Sequence, residues 1–413
     1  MQYGLIGERL GHSYSREIHE QLADYTYTLK ELTPEELPAF LAARDFRAIN
    51  VTIPYKQSVI PYLDEISETA RTIGAVNAIV NRNGRLFGDN TDFAGLRALL
   101  MRLGLQLSGK KVLILGTGGT SKTARAVAEA MGAAQILRVS RAAGGGDVIS
   151  YAQALTAHTD AQILINTTPV GMYPRQEEQP ISLAAFPKLE GVADAVYHPL
   201  RTNLVLEAQA RGIPAQGGLF MLAAQAAAAC AIFQGKAPDT AQAERAFSAV
   251  LREKQNLVLI GMPTCGKTTV GKALAERSGR RFFDTDVLLT EQLGVSIADY
   301  FAQAGEAAFR TQEQELVRSL AAESGCVIAT GGGVILREEN LRRLRQNGLL
   351  IFLDRAPEKL LAADDRPLSA SREALLQRYR ERYGRYCAAA DLQINANGSV
   401  EEVVCAIERE LAQ

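Results

Sequence analysis

Apolar runs of strand length alternate with helical patterns along the whole chain, and that alternation predicts an α/β architecture. Up to about Leu107, short strand-like runs (YGLIG, RAINVTI, AVNAIV) stand between helical segments. From Lys110 the rhythm becomes a regular strand-helix repeat: KVLILG, the helical TARAVAEAM, then QILRVS. AQILINTT and GVADAVY continue it as further parallel strands. The most apolar run, FMLAAQAAAACAIF (Phe220 to Phe233), is too short to span a bilayer and contains Gln225, so it reads as a buried helix. A helix from Thr240 to Lys254 follows. At Asn256 a new strand opens a separate unit, with REKQ (Arg252 to Gln255) as the junction and no Gly/Ser- or Pro-rich linker. The remainder, residues 256–413, is long enough to bury its own core.

Composition narrows the picture by exclusion. A chain of 413 residues accommodates two or three domains. A formal net charge of −1 gives no reason to expect a nucleic-acid or membrane partner. The five cysteines (Cys230, Cys265, Cys326, Cys387, Cys405) form no CxxC pair, which argues against a zinc site or a disulfide framework and fits a reducing cytosol. The four histidines do not cluster at metal-ligand spacing. The opening MQYGLIG enters strand-like sequence without a basic and apolar leader, so no signal peptide and a cytoplasmic location are expected.

Two glycine loops of different design each follow an apolar strand. The first, Gly116-Thr117-Gly118-Gly119-Thr120-Ser121, has the dinucleotide setting, in which glycines let the backbone approach a pyrophosphate at a helix N-terminus. Its third glycine position holds Ser121. The next strand ends in Ser140 and Arg141, where an NAD site would carry a carboxylate for the ribose 2′-hydroxyl. An arginine there favours a 2′-phosphate, hence NADP(H); the bland alternative is a solvated strand-end arginine. The second loop, Gly261-x-x-x-x-Gly266-Lys267-Thr268, is a complete P-loop between a strand and a helix. Its backbone N–H groups cradle phosphates, Lys267 neutralises the β and γ groups, and the Thr268 hydroxyl binds Mg²⁺.

The residues around the first loop carry a resemblance. GHSYSREIH offers Ser13 and Ser15, NVTIPYK ends in Lys56, AVNAI supplies Asn77, and GDNTD ends in Asp92. Each alone has a dull explanation, since Ser-x-Ser is usually a helix cap and a lone lysine a solvated charge. In this order and spacing, together with INTTPVGM and GGLFMLAAQA, residues 1 to about 246 resemble the shikimate dehydrogenase family. The resemblance implies hydride transfer between NADPH and the C3 carbonyl of 3-dehydroshikimate. Lys56 would be the proton donor to the developing oxyanion, with Asp92 paired to it. Ser13, Ser15, Thr52, Asn77 and Gln225 would bind substrate hydroxyls and carboxylate, with Tyr197 nearby. Gly116, Gly118, Gly119, Ser140, Arg141 and Gly218 would hold the cofactor. The family usually continues after Arg141 with a polar helix and often a second cation. Here AAGGGD follows, which puts the preference for NADP in question.

Beyond the P-loop, FFDTDVLL gives Asp284 and Asp286, EAAFRTQEQE gives Arg310 and Glu313, and ATGGGV gives Gly331, Gly332 and Gly333. DDRPLS and RERYGRY give Arg366, Arg382 and Arg385. This set resembles shikimate kinase over about residues 255–413. The resemblance implies that Asp286 is the base that orients the acceptor hydroxyl, with Thr268 and Asp284 holding Mg²⁺. Arg310 and Arg382 would take the acceptor carboxylate beside the Gly331 to Gly333 turn. Gly261, Gly266, Lys267, Thr268, Thr269 and a lid residue, Arg366, would bind ATP. Arg385 has a surface reading. Lys359 or Leu361 occupies the region where the family carries an adenine-stacking arginine. Cys265 inside the loop is expected to be a reactive thiol whose modification blocks ATP.

The expected architecture is therefore three α/β domains. These are a substrate-binding domain (1–107 plus about 217–250), a Rossmann-like NADP domain (108–216), and a P-loop domain of the nucleoside-monophosphate-kinase kind (256–413). The expected partners are the small molecules 3-dehydroshikimate and shikimate, with a homodimer left open. The alternatives are an oxidative quinate/shikimate dehydrogenase using NAD for the first half, a gluconate-kinase-type enzyme for the second, or a fusion with one half purely structural.

Overall fold

The computed structural model describes residues 1–11, 13–237, 239–360 and 372–412. The chain divides into two compact units, Met1–Leu251 and Arg252–Gln413. The first contains two six-stranded sheets and the second one five-stranded sheet.

In the first sheet the spatial order is Tyr27–Glu31, Tyr3–Gly7, Ala48–Val51, Ala78–Arg82, Arg85–Asp89 and Glu65–Ile66. Its first three strands are parallel; Ala78–Arg82 and Arg85–Asp89 form an antiparallel hairpin. Asn83 and Gly84 make the two-residue turn, both at positive φ (54° and 86°), the geometry that matches the right-handed twist of the flanking strands. The strand Ala48–Val51 is buried throughout and delivers the chain directly into the loop that carries Thr52 and Lys56.

The second sheet is wholly parallel, in the order Ala215–Gln216, Gly191–Asp194, Ile163–Asn166, Lys111–Leu115, Gln135–Ser140, Val148–Ser150. This is the doubly wound dinucleotide order, and its switch point falls between Lys111–Leu115 and Ile163–Asn166. The central strands are continuous apolar runs because helices cover both faces. The helix Leu219–Gln234 is apolar all round and buried accordingly. It packs tightly on Asp92–Arg102 at Gly95, where a Cβ would lie 2.6 Å from the Met221 carbonyl oxygen. Only glycine permits that approach, and it brings Gln225 up to the N-terminal end of the neighbouring helix.

The second unit's sheet is also parallel, in the order Arg281–Asp284, Cys326–Ala329, Asn256–Ile260, Gly348–Asp354, Leu392–Asn395. The strand Asn256–Ile260 is central, so the glycine loop after it emerges at the middle of the sheet's C-terminal edge. The long helix Ile297–Ala321 is broken at Gly305 (φ 81°, ψ 170°), and Glu306 resumes it.

Candidate functional site

In the first unit, Lys56 Nζ donates to Asp92 Oδ2 at 2.5 Å. Asn77 Nδ2 donates to the other oxygen, Asp92 Oδ1, at 2.9 Å, and lies 3.1 Å from Thr91 Oγ1 and 3.4 Å from Gln225 Oε1. Thr91 closes the network: its backbone N–H donates to Asn77 Oδ1 at 2.7 Å and its hydroxyl to Gln225 Oε1 at 3.2 Å. Asn77, Thr91, Asp92 and Gln225 are buried, while Lys56 is half-buried, so the ammonium sits at the open end of a buried polar cluster. Thr52 lies on the same loop as Lys56, with its N–H held by the Ile6 carbonyl.

Ser13 Oγ donates to Ser15 Oγ at 3.0 Å and accepts from the Ser15 N–H at 3.2 Å, a local turn leading into the helix Ser15–Leu22. Between them, Tyr14 OH stands 3.1 Å from His198 Nδ1, and its ring centroid is 5.3 Å from that of Tyr197. Tyr14, which stands between the two serines, thus packs against Tyr197, although the two are far apart in the chain. Burial, reinforced by Tyr14 and Glu17, pushes the Tyr197 phenol up to about 12, so it is a neutral donor.

At the first glycine loop, Gly118 precedes the helix Gly119–Ala130, and a Cβ on Gly118 or Gly119 would meet nothing within 4 Å. That open helix N-terminus fits a pyrophosphate. Ser121 is not a defect in the fingerprint: its buried hydroxyl donates to the Gly116 carbonyl at 2.7 Å and ties the loop back. Ser140 ends its strand half-buried, with Arg141 exposed beside it. The glycine run after Arg141 turns through Gly145 and Gly146 at positive φ. It delivers Asp147 to Arg138 (2.7 and 2.9 Å) and Arg125 (3.1 Å). The Arg138 guanidinium holds the Asp147 carboxyl below its usual range. The carboxylate of this segment is thus already engaged. Gly218 lies where the chain passes against Ala195, its N–H bonded to the Val196 carbonyl at 2.7 Å.

In the second unit, the loop from Gly261 to Gly266 wraps Lys267, whose Nζ donates to the carbonyls of Gly261 and Met262 at 2.9 Å each. Thr268 Oγ1 donates to Asp284 Oδ2 at 2.6 Å, and Thr269 is exposed beside it. The other oxygen of Asp284 accepts from the N–H groups of Asp286 and Val287, capping the helix Thr285–Leu293 and fixing where Asp286 emerges. Hydroxyl and carboxylate oxygens are the donors Mg²⁺ prefers. Among the described residues no three His, Cys, Asp or Glu side chains converge as a metal cage. Mg²⁺ would therefore rest on this pair, on phosphate and on water.

Thr268, Asp284, Asp286, Arg310, Gly331, Gly332, Gly333 and Arg382 line one cavity of about 650 Å³. Arg310 NH1 donates to both oxygens of Glu313 (2.9 and 3.1 Å), and its NH2 and Nε face Glu306 (3.0 and 3.3 Å). Burial raises the Glu313 carboxyl; the Arg310 charge opposes that shift. Arg382 NH1 donates to the Gly332 carbonyl at 3.0 Å, which Tyr386 OH also reaches at 2.6 Å. A Cβ on Gly333 would lie 2.1 Å from Arg310 NH1, so the glycine turn is the floor on which that guanidinium rests.

One expectation changes. Cys265 is 1% exposed within the hydrophobic core, with Sγ 3.9 Å from Lys267 Nζ, so it is not a thiol displayed on the loop. Lys359 is exposed and donates to the Asn397 carbonyl at 2.9 Å. Arg366 and Leu361 lie outside the described residues, and Arg385 is exposed. Sequence reasoning passed over Thr91, Tyr14, the apolar wall of Phe301 and Phe309, and Arg378. GDNTD did contain the signal for Thr91, a hydroxyl next to the acid.

Residues 263–412 match the family model for shikimate kinase, and residues 5–79 that for the shikimate dehydrogenase substrate-binding domain. A shikimate dehydrogenase (NADP(+)) of Geobacillus kaustophilus is 38% identical over 271 residues, 60% of this chain and 98% of its own. One from Clostridium perfringens is 35% identical, covering 59% and 96%. Among solved structures, a chorismate mutase/shikimate 5-dehydrogenase fusion from Clostridium acetobutylicum superposes with a TM-score of 0.57 at 33% identity, over 60% of this chain and 96% of its own. Shikimate 5-dehydrogenase from Thermus thermophilus, solved with NADP(H) and shikimate, gives 0.55 at 30%, over 60% and 99%. The chain thus belongs to the shikimate dehydrogenase family through its first unit and carries a shikimate kinase domain in its second.

Proposed function

We propose that this bifunctional enzyme reduces 3-dehydroshikimate to shikimate with NADPH and then phosphorylates shikimate with MgATP, at two separate sites. The observation that carries the reading is the pairing of Lys56 with Asp92 inside a buried amide and hydroxyl cluster, alongside a complete P-loop that opens onto an arginine-lined cavity.

NADPH supplies the hydride. Lys56 Nζ then gives a proton to the oxygen as negative charge develops on it, and Asp92 holds the ammonium charged and aimed. Asn77 and Gln225 orient substrate hydroxyls, with Ser13, Ser15 and Thr52 as further hydrogen-bond partners and Tyr197 as a neutral donor. Arg141, with Asp147 already engaged by Arg138, supports NADP over the NAD alternative.

In the second site Asp286 accepts the acceptor hydroxyl's proton as its oxygen attacks the γ-phosphoryl group. Lys267 leaves its carbonyl partners to neutralise the developing charge, and Arg310 and Arg382 hold the acceptor carboxylate. Thr268 and Asp284 would hold Mg²⁺, which offsets phosphate charge.

Among the described residues all five cysteines are free and no helix is long and apolar enough to cross a membrane. The free cysteines support the cytoplasmic reading.

The test supplies 3-dehydroshikimate, NADPH and MgATP and looks for shikimate 3-phosphate. Lys56→Ala should stop only NADPH oxidation and Lys267→Ala only ATP consumption. Loss of both activities from either substitution, with the fold intact, would sink the two-site reading.

A further inference from the structure

Asp194 is the last residue of its strand and fully buried, and no step of either reaction uses it. Register sets it beside Asn166, the last residue of the adjacent parallel strand. Asp194 Oδ1 accepts from Asn166 Nδ2 at 2.9 Å and from the Val196 N–H at 3.0 Å, and Oδ2 accepts from the Thr202 hydroxyl at 2.7 Å. Asn166 Oδ1 in turn accepts from the Thr168 N–H and hydroxyl, at 3.0 and 2.7 Å.

Three loops at the C-terminal edge of the sheet thus meet at one carboxylate. The Thr167–Thr168 turn reaches the glycine loop: a Cβ on Gly116 would lie 2.9 Å from Thr167 Oγ1 and 3.1 Å from Thr168 Cγ2. Val196 precedes Tyr197, and its carbonyl accepts from the Gly218 N–H at 2.7 Å, just before the helix Leu219–Gln234. Thr202 caps the helix Asn203–Ala210. A dinucleotide fold takes one mononucleotide on each side of its switch point. Ser140 and Arg141 stand on the adenosine side, and Asn166 and Asp194 end the first two strands on the other. A carboxylate suits this junction because both its oxygens accept, whereas an amide offers one acceptor oxygen. Burial pushes the Asp194 carboxyl up to about 6, opposed by the hydrogen bonds from Thr202, Val196 and Asn166.

We propose that Asp194 is a positioning residue of the dehydrogenase site. It holds the Thr167–Thr168 turn, the Val196–Tyr197 segment and the Gly218 turn in the one arrangement that receives the nicotinamide half of the cofactor. Fully buried, it acts through the loops it ties together and not by contact with a reactant. The inference rests on the dehydrogenase reading above.

The experiment titrates two ligands into the full chain by calorimetry. NADP⁺ fills both halves of the cofactor site, and adenosine 2′,5′-bisphosphate fills only the adenosine half. In Asp194→Asn the Kd for NADP⁺ should rise on the order of tenfold, and that for the bisphosphate should stay within about twofold. The NADPH-dependent kcat should fall on the order of tenfold or more, with kinase turnover unchanged. Thr202→Val, which removes one of the three donors, should show the same split at about threefold, and Thr202→Ser should bind both ligands like wild type. Unchanged NADP⁺ binding in Asp194→Asn overturns the proposal. So does a parallel loss of both ligands, or a Thr202→Ser variant as impaired as Thr202→Val, each of which marks a merely structural role. If Asp194→Asn does not fold, the two Thr202 variants decide on the same binding split. Failure of the wild-type chain to bind NADP⁺ would instead defeat the dehydrogenase reading itself.

Discussion

Lys56 Nζ and Asp92 Oδ2 stand 2.5 Å apart, and the second oxygen of Asp92 is held by Asn77. The carboxylate therefore has one oxygen for the lysine and one for the buried amide, and its position is fixed from both sides. Lys56 comes from the loop after the interior strand Ala48–Val51, Asp92 from the first turn of a helix.

Asp92→Asn keeps the shape and removes the charge. The expected result is a fall in the NADPH-dependent kcat of about 10²- to 10⁴-fold, the range for a mispositioned proton-transfer group. Kinase turnover of added shikimate should stay at the wild-type rate. Parallel assays of the two reactions check this, and a dehydrogenase rate within a few fold of wild type would remove Asp92 from the proton-transfer machinery.

Gly333→Ala should damage the other reaction. The added Cβ would enter the space of the Arg310 guanidinium, 2.1 Å from NH1 and 2.5 Å from Cζ. A flexible arginine tip could normally swing away. Here Glu313 and Glu306 hold it, and Glu313 is 2% exposed. Moving the arginine breaks a buried pair, a change worth about 3–5 kcal/mol when complete. The expected outcome is a rise of at least about tenfold in the KM for shikimate, with NADPH oxidation untouched. An unchanged KM would mean that the glycine turn is not the floor of the acceptor site.

The parallel sheets were legible because a strand covered on both faces must be a continuous apolar run, and KVLILG, AQILINTT and NLVLIG are such runs. Tyr27–Glu31 was not, since it alternates into exposed Lys30 and Glu31 and lacks that run. The hairpin at Asn83-Gly84 had a short-range signal that the helix-strand rhythm hid. In the sites, residues inside contiguous motifs (Lys56, Asp92, Lys267, Asp284) could be named from their own surroundings and the family resemblance. Thr91 and Tyr14 gain meaning only through Gln225 and His198, 134 and 184 residues away. Arg378 looks like one more surface arginine until the helix is folded against the cavity.

Cys265 now carries the opposite expectation from the one its position in the loop suggested. Buried beneath Gly261 and beside Lys267, it should be alkylated later than Cys387 and Cys405, which are half-buried. Timed alkylation followed by peptide mass mapping ranks the three. Early labelling of Cys265 would mean that the P-loop opens on the timescale of the reaction.

His19 makes the first unit acid-sensitive. It is fully buried, its ring stacked on Tyr27 with centroids 4.0 Å apart, and Nδ1 lies 2.8 Å from Tyr25 OH. Burial lowers its pKa from 6.5 to about 3, opposed by the Asn50 side chain. The folded form therefore stays neutral in a range where the unfolded chain takes up a proton. The stability this residue permits is fully present above about pH 6.5 and is lost as the pH falls towards about 3, by up to ~1.4 kcal/mol per pH unit. His19→Gln removes the titration. The variant should be weaker at neutral pH, because the stacked ring is gone, but should lose about 2 kcal/mol less than wild type between about pH 7 and about pH 5. The chain has two units, so whole-chain unfolding is not a two-state readout. The urea midpoint for loss of dehydrogenase activity reports on the first unit alone. Equal acid shifts of that midpoint in wild type and His19→Gln would place the acid sensitivity elsewhere.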